Sequence, residues 1–249
     1  MRELIVLTCT IKPTSITRTK RLEPELRLAD YTNSINSWLK FARKREYDLL
    51  IIENSDSVDL LSKFESNENF SIIPVKKDSR SVNEGISGGE FEMLKLGLTD
   101  EILNKYDIIW KVTGRNYISN AEKVLKFDYE SNLMCERNVF PRHSCDSRVF
   151  GMKRDTWKEF LSLNPTFRNE KQFNSGPHIF DSMEHLLTIF ATNLEFSGGR
   201  QTALKNSPII FGFSGSTNKE IMSRKRRILL KNEKPFRTII NKLLLVISP

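Results

Sequence analysis

The sequence predicts an α/β protein, a mostly parallel sheet flanked by helices, and three features carry that prediction. Residues 4–8, 48–55 and 106–113 are short apolar runs of strand length, rich in Leu, Ile and Val. Between the first two lies an amphipathic stretch from Pro24, with Leu28, Tyr31, Ile35, Trp38, Leu39 and Ala42 at helical spacing. A strand, a helix and a second strand in that order predict a right-handed crossover and a parallel pair.

The third run is the one around which the chain is arranged. Side chains alternate along a strand, so Lys111, Thr113 and Arg115 point one way and Trp110 and Val112 the other. A sheet centre keeps such a row of cations only where something anionic meets it. Ligands of open α/β sheets bind at the carboxyl ends of strands, which is where Thr113 to Asn116 fall. An edge strand with solvated charges is the competing reading.

The remaining elements follow in order. Pro24 suits a first helical turn, and Lys40 to Arg45 place cations near the end of that helix. Residues 12–23 form a polar loop with four cations. The second strand ends in Glu53 and Asn54, which could read a base or ribose or simply form the turn. A short helix over 58–64 and a strand over 70–75 come next. Gly88 and Gly89 precede a helix that starts near Gly89, and a glycine before a helix N-terminus can cradle phosphate. Glu90 and Glu92 in its first turn favour the helix dipole without any ligand. Beyond 113, a short helix over 120–127, a strand over 132–137, a polar turn over 141–148 and a short strand over 149–152 are expected. Asp155 is read as the cap of the following helix. A last helix is expected from Ser175-Gly176-Pro177, with Ile179, Met183, Leu186, Leu187, Phe190 and Leu194 as its buried stripe. His178, Asp181 and His185 share its opposite face, a spacing that suits a metal or a solvated surface. Glu184 borders the stripe, and a half-buried carboxylate with a raised pKa is what a general base needs.

Composition narrows the function classes. With 249 residues, 39% hydrophobic and 28% charged, the chain reads as one domain over 1–215 with a tail over 216–249. The net charge of +8 favours anionic partners. Nucleic acid is set aside, because no binding motif and no basic stripe interleaved with aromatics is present. Cys9, Cys135 and Cys145 are too few and too irregularly spaced for a disulfide framework or zinc site, which predicts a reducing, cytoplasmic setting. No secretory leader is expected from the first residues, and no run reaches the roughly 18 apolar residues of a spanning helix. The tail carries Arg224-Lys225-Arg226-Arg227 beside apolar residues 228–230 and 239–247. Such a pattern fits a helix lying on the anionic inner face of a membrane, or one packed on the core.

Gly89-Glu90-Phe91-Glu92, Lys111-Val112-Thr113-Gly114-Arg115, and Val149-Phe150-Gly151-Met152 before a Trp-bearing helix give the chain over roughly residues 1–200 a resemblance to GT-A glycosyltransferases. More narrowly it resembles the small bacterial transferases of capsule and lipopolysaccharide O-antigen synthesis. The resemblance implies a nucleotide-diphosphate sugar donor, UDP-hexose first, and a glycan or lipid-linked acceptor. The family's Asp-x-Asp metal motif is absent from the place occupied by Lys111 to Arg115. It therefore implies a metal-independent variant in which Lys111 or Arg115 meets the diphosphate, with Mn or Mg as the cation if a metal is used. Thr8, Glu53, Asn54, Gly88, Gly89, Glu90, Lys111, Thr113, Gly114 and Arg115 become the donor-side residues. Glu184 becomes the acceptor base, and Asp146 the other acid for catalysis or sugar contact. A catalytically silent nucleotide- or membrane-binding module is the alternative reading.

Overall fold

The first two apolar runs form strands that are buried on both faces. β1 (Glu3–Cys9), β2 (Asp48–Glu53) and β3 (Phe70–Pro74) pair in parallel, with α1 (Pro24–Arg45) crossing between the first two. The computed structural model describes residues 1–13, 20–64, 66–76, 79–138, 144–167, 179–214 and 217–221. α2 (Ser79–Gly97) and α3 (Asp100–Leu103) lead into β4 (Ile108–Thr113), which pairs in parallel with β1. Then come β5 (Tyr117–Ile118), α4 (Ala121–Val124), β6 (Leu133–Asn138), β7 (Ser144–Lys153) and α5 (Arg154–Ser162). β8 (Thr166–Phe167), β9 (Ile179–Phe180), α6 (Met183–Phe196), β10 (Gln201–Thr202) and β11 (Ile210–Phe211) complete the elements.

Seven strands make one sheet in the order β10-β6-β7-β4-β1-β2-β3. Only β7 runs against its neighbours, so the sheet is mostly parallel, as expected. β4 lies inside it between β1 and β7, which rules out the edge-strand reading. The alternation read from the sequence holds. Ile5, Leu7, Trp110 and Val112 pack with Tyr31, Ile35 and Trp38 of α1 on one face. Leu4, Val6 and Leu50 pack with Phe91, Leu94, Trp157 and Leu187 from α2, α5 and α6 on the other. Lys111 therefore faces α2, inside a buried layer.

Four expectations are corrected. Residues 144–148 are not a turn but the first half of β7, which extends past the end of β4. Phe150 faces Cys135 whereas Cys145 faces Arg137, so a bulge over 146–149 re-aims the side chains there. α5 begins at Arg154, with Lys153 at the cap position, so Asp155 sits in the first turn and favours the dipole instead. α6 begins at Met183 because Ser182 caps it, its hydroxyl accepting from the His185 amide at 3.2 Å. Ile179 is consequently a β9 residue, while Ser175, Gly176, Pro177 and His178 lie outside the described residues. Finally, α2 breaks at Gly85, whose φ of 74° suits glycine, and turns again beyond it. Gly88 and Gly89 thus fall inside the renewed helix rather than ahead of it.

Candidate functional site

The site starts from a close backbone approach. The Gly114 amide donates to the Thr8 carbonyl at 3.0 Å, and a Cβ at residue 114 would stand 2.5 Å from that oxygen. Glycine is what lets the end of β4 lie against the end of β1. The chain beyond is fixed from α1, where the Ser34 hydroxyl and the Trp38 indole N–H both donate to the Asn116 carbonyl, at 2.8 and 2.9 Å. Above this junction opens a cleft of about 660 Å³, at the carboxyl edge of β1, β2 and β4.

Of the residues picked out in the sequence, Thr8, Asn54, Gly89, Glu90, Thr113, Arg115 and Glu184 reach the cleft wall. Lys111 does not. Its side chain has no solvent exposure, and its ammonium lies 2.5 Å from Glu90 Oε1. It also donates to the Ser147 carbonyl at 2.6 Å and to Thr113 Oγ1 at 3.4 Å. A cation so committed is not free for a diphosphate. It holds the cleft floor, where Thr8 Oγ1 donates to the same Glu90 oxygen at 3.3 Å. The cation of this strand end that reaches the cleft is the half-buried Arg115, whose Nε donates to the Phe213 carbonyl at 3.1 Å.

The opposite wall comes from the β7 bulge and α6. The Ser147 hydroxyl donates to Glu184 Oε1 at 2.6 Å. Since Lys111 holds the Ser147 carbonyl, one polar chain runs from Glu90 through Lys111 and Ser147 to Glu184. Asp146 is spent elsewhere. Only 5% exposed, its carboxylate accepts from Arg148 Nε at 2.8 and 3.0 Å and from Arg148 Nη2. Burial alone would raise its pKa, but the hydrogen bonds and charge of Arg148, with Lys111 behind, outweigh burial and hold it below the usual range. Asp146 is therefore an anchor for Arg148 rather than an acid facing the cleft.

On the side of β1 and β2, Glu53 is also spent. It is 1% exposed, and its carboxylate accepts from the Ser55 and Ser57 amides at 3.0 Å, closing the turn after β2. Asn54 takes the place at the cleft, accepting from Thr10 Oγ1 at 2.6 Å. Gly88 looks away, because a Cβ there would meet Glu84 and Phe167. Gly85 and Ser87 stand at the cleft in its stead.

Sequence reading missed the cleft roles of Arg27, Tyr31, Ser147 and the wall beyond β11. Arg27 and Tyr31 belong to the α1 stripe region yet border the cleft, where Arg27 Nε donates to the Thr10 carbonyl at 2.8 Å and the Tyr31 hydroxyl accepts from the Thr10 amide at 2.9 Å. An arginine one turn before Tyr31, on the apolar face of the helix, was the signal available. Ser214, Thr217, Lys219, Glu220 and Ile221 form a further wall, folded back as the Ile221 amide donates to the Gly212 carbonyl at 2.9 Å. Long-range contacts place that segment, the pairing of β11 with β5 and the Arg21 Nη1 bond to Asn218 Oδ1 among them, and no local pattern announces it. Asn116 is 2% exposed, and its Oδ1 is buried without a hydrogen-bond partner among the described residues, beside the same cleft.

Among the described residues, no three His, Cys, Asp or Glu come together in a group that could hold a metal. His185 Nδ1 is 3.9 Å from Asp181, and His178 lies outside the described residues. The described residues therefore offer no carboxylate cluster for a divalent cation. Likewise no helix among the described residues is long and apolar enough to cross a membrane. The basic tail from residue 222 lies outside them.

No family model and no curated protein matches the sequence. Solved structures match in backbone. The galactosyltransferase LgtC, determined with donor and acceptor sugar analogs, is 11% identical, with a TM-score of 0.43 over 63% of this chain. The match spans 59% of that enzyme's chain. A glycosyltransferase involved in glycosylation of the major capsid of PBCV-1 is 11% identical, with a TM-score of 0.45 over 82% of this chain and 81% of its own. A Drosophila β1,4-galactosyltransferase 7 variant, determined with manganese, UDP-Gal and xylobiose, is 10% identical, with a TM-score of 0.43 over 91% and 74% of the two chains. Likeness at this level decides neither activity nor substrate.

Proposed function

We propose that the chain is a glycosyltransferase that moves a hexose from a nucleotide-diphosphate sugar, UDP-hexose first, to a bacterial surface polysaccharide or lipid-linked glycan. The observation that carries this reading is the pairing of Arg115 with Glu184 on one cleft at the carboxyl edge of a parallel sheet. A group transfer of this kind needs an anion site for the leaving diphosphate and a base for the acceptor hydroxyl. The guanidinium fork of Arg115 suits the first, and the carboxylate of Glu184, oriented by Ser147, suits the second.

In this reading the acceptor hydroxyl gives its proton to Glu184 as its oxygen bonds to the anomeric carbon. The bond from that carbon to the diphosphate breaks, and the negative charge that develops there is met by Arg115. Glu90, held by Lys111, accepts hydrogen bonds from sugar hydroxyls on the floor. Asn54 stands on the nucleoside side. The diphosphate is served by Arg115 rather than by a metal on carboxylates.

The experiment is donor hydrolysis over a panel of nucleotide sugars, run with manganese and with EDTA. Nucleotide release from one donor that persists in EDTA and is lost in Arg115→Ala is the expected result. Release abolished by EDTA would overturn the metal-free part. Neither release nor calorimetric binding of any donor would favour the silent module.

A further inference from the structure

Two of the three cysteines, ten positions apart in the chain, end with their sulfurs together. Cys135 Sγ and Cys145 Sγ are 2.9 Å apart, and both residues are fully buried. Neither contributes to the cleft chemistry, and their spacing in the sequence gave no hint of a pair. We propose that Cys135 and Cys145 form a dithiol modification site that takes up a two-electron oxidation to an intramolecular disulfide.

Geometry favours this outcome. A disulfide holds its sulfurs at roughly 2.0 Å, so closure asks for a sulfur movement of about an ångström rather than a rearrangement of strands. The two residues sit on adjacent strands, β6 and β7, at the register shift between Cys135 and Arg137, where the ladder is already irregular. Local looseness at a bulge gives an oxidant a way to a buried thiol without global unfolding. The partner thiol is in place to resolve the first oxidised sulfur, which diverts it from deeper oxidation.

The co-reactant is a small peroxide or a thiol-oxidising diazene. With a peroxide, one thiol is oxidised to a sulfenic acid as the O–O bond breaks and an alcohol leaves. The second sulfur then attacks the first, the S–S bond forms and water departs with the remaining proton. The bridge would pin β6 to the segment of β7 that leads into Asp146, Ser147 and Arg148. Cys145 is tied to α6 as well, since its amide donates to Thr188 Oγ1 at 2.8 Å.

Cys9 is the internal control. It is buried in the layer on the opposite face of the sheet from the other two thiols, so neither of them is in place to pair with it. The inference does not depend on the transferase reading, because its readout is thiol chemistry. The folded chain is treated with diamide or tert-butyl hydroperoxide, quenched, denatured in an alkylating agent and digested for peptide mapping. The expected result is Cys9 alkylated, and Cys135 and Cys145 recovered as one linked peptide that separates on reduction. Melting of the oxidised chain should move upward, a shift absent in Cys135→Ser. Three alkylated cysteines, a bridge to Cys9, or sulfinic acid at either site without the linked peptide would each overturn the proposal.

Discussion

Glu90 Oε1 lies 2.5 Å from the ammonium of Lys111, a lysine with no solvent exposure in the middle of the sheet. This pair explains why a cation survives at a central strand position. Its attraction has to offset desolvation of both groups, and the additional bond to the Ser147 carbonyl supplies the satisfaction that makes such burial tolerable.

Lys111→Met should therefore destabilise the fold. Removing one partner leaves a largely buried carboxylate unpaired, which costs about 3–5 kcal/mol, toward the lower end here because Glu90 keeps 17% of its side-chain exposure. Lys111→Met with Glu90→Gln should recover much of the loss, since no uncompensated charge remains. Urea unfolding of the parent and the two variants measures it. A double variant no better than the single one would show that Lys111 acts through packing.

Gly114→Ala tests the junction of β1 and β4. The new Cβ would stand 2.5 Å from the Thr8 carbonyl, a backbone atom that cannot rotate away. Overpacking of this kind costs about 1–3 kcal/mol, and the strand ends should separate. Weaker ligand binding together with a lower urea midpoint is expected. Unchanged stability would mean that the approach relaxes without consequence.

How far the sequence carried the fold and the site depends on the range of the interactions involved. The parallel core strands, the α1 stripe and the opposed faces of Trp110 and Lys111 were legible because they follow from local periodicity. The strand end at Thr113 and Arg115 was legible for the same reason. What Lys111 touches was not, since Glu90 is brought to it by the packing of α2 on the sheet. Asp146 and Glu53 look like any other strand-end acids until their partners, Arg148 and the Ser55–Ser57 turn, are placed. Ser147 was invisible because a bulge decides its direction, and the 217–221 wall because it arrives through long-range pairing.

Ser147→Ala should lower turnover without unfolding the chain. Its hydroxyl orients Glu184 at 2.6 Å, so loss of the bond frees the carboxylate to leave the reactive direction. A fall of roughly tenfold in kcat with little change in KM is expected, against 100-fold or more for Glu184→Gln, which removes the base itself. Ser147→Thr keeps the donor and should restore most of the rate. Equal rates in Ser147→Ala and the parent would dismiss the positioning role.

Asp146 and Arg148 give stability a pH signature whose sign can be worked out. The Asp146 pKa is held below its ordinary value, about 3.9 in an unfolded chain, so the pair's contribution is present above that value and is lost as pH falls through the folded pKa. Arg148→Met inverts the balance, because burial is the largest influence on Asp146 and would then lack its main opponent. The folded pKa should move above the unfolded one, making the ionised carboxylate a burden near about pH 7 that protonation relieves. Urea midpoints of parent and variant should thus lie furthest apart near neutrality and draw together as pH falls toward about 4. Curves that stay parallel across that span would mean that Asp146 does not depend on Arg148 for its charge, and that Lys111 alone sustains it.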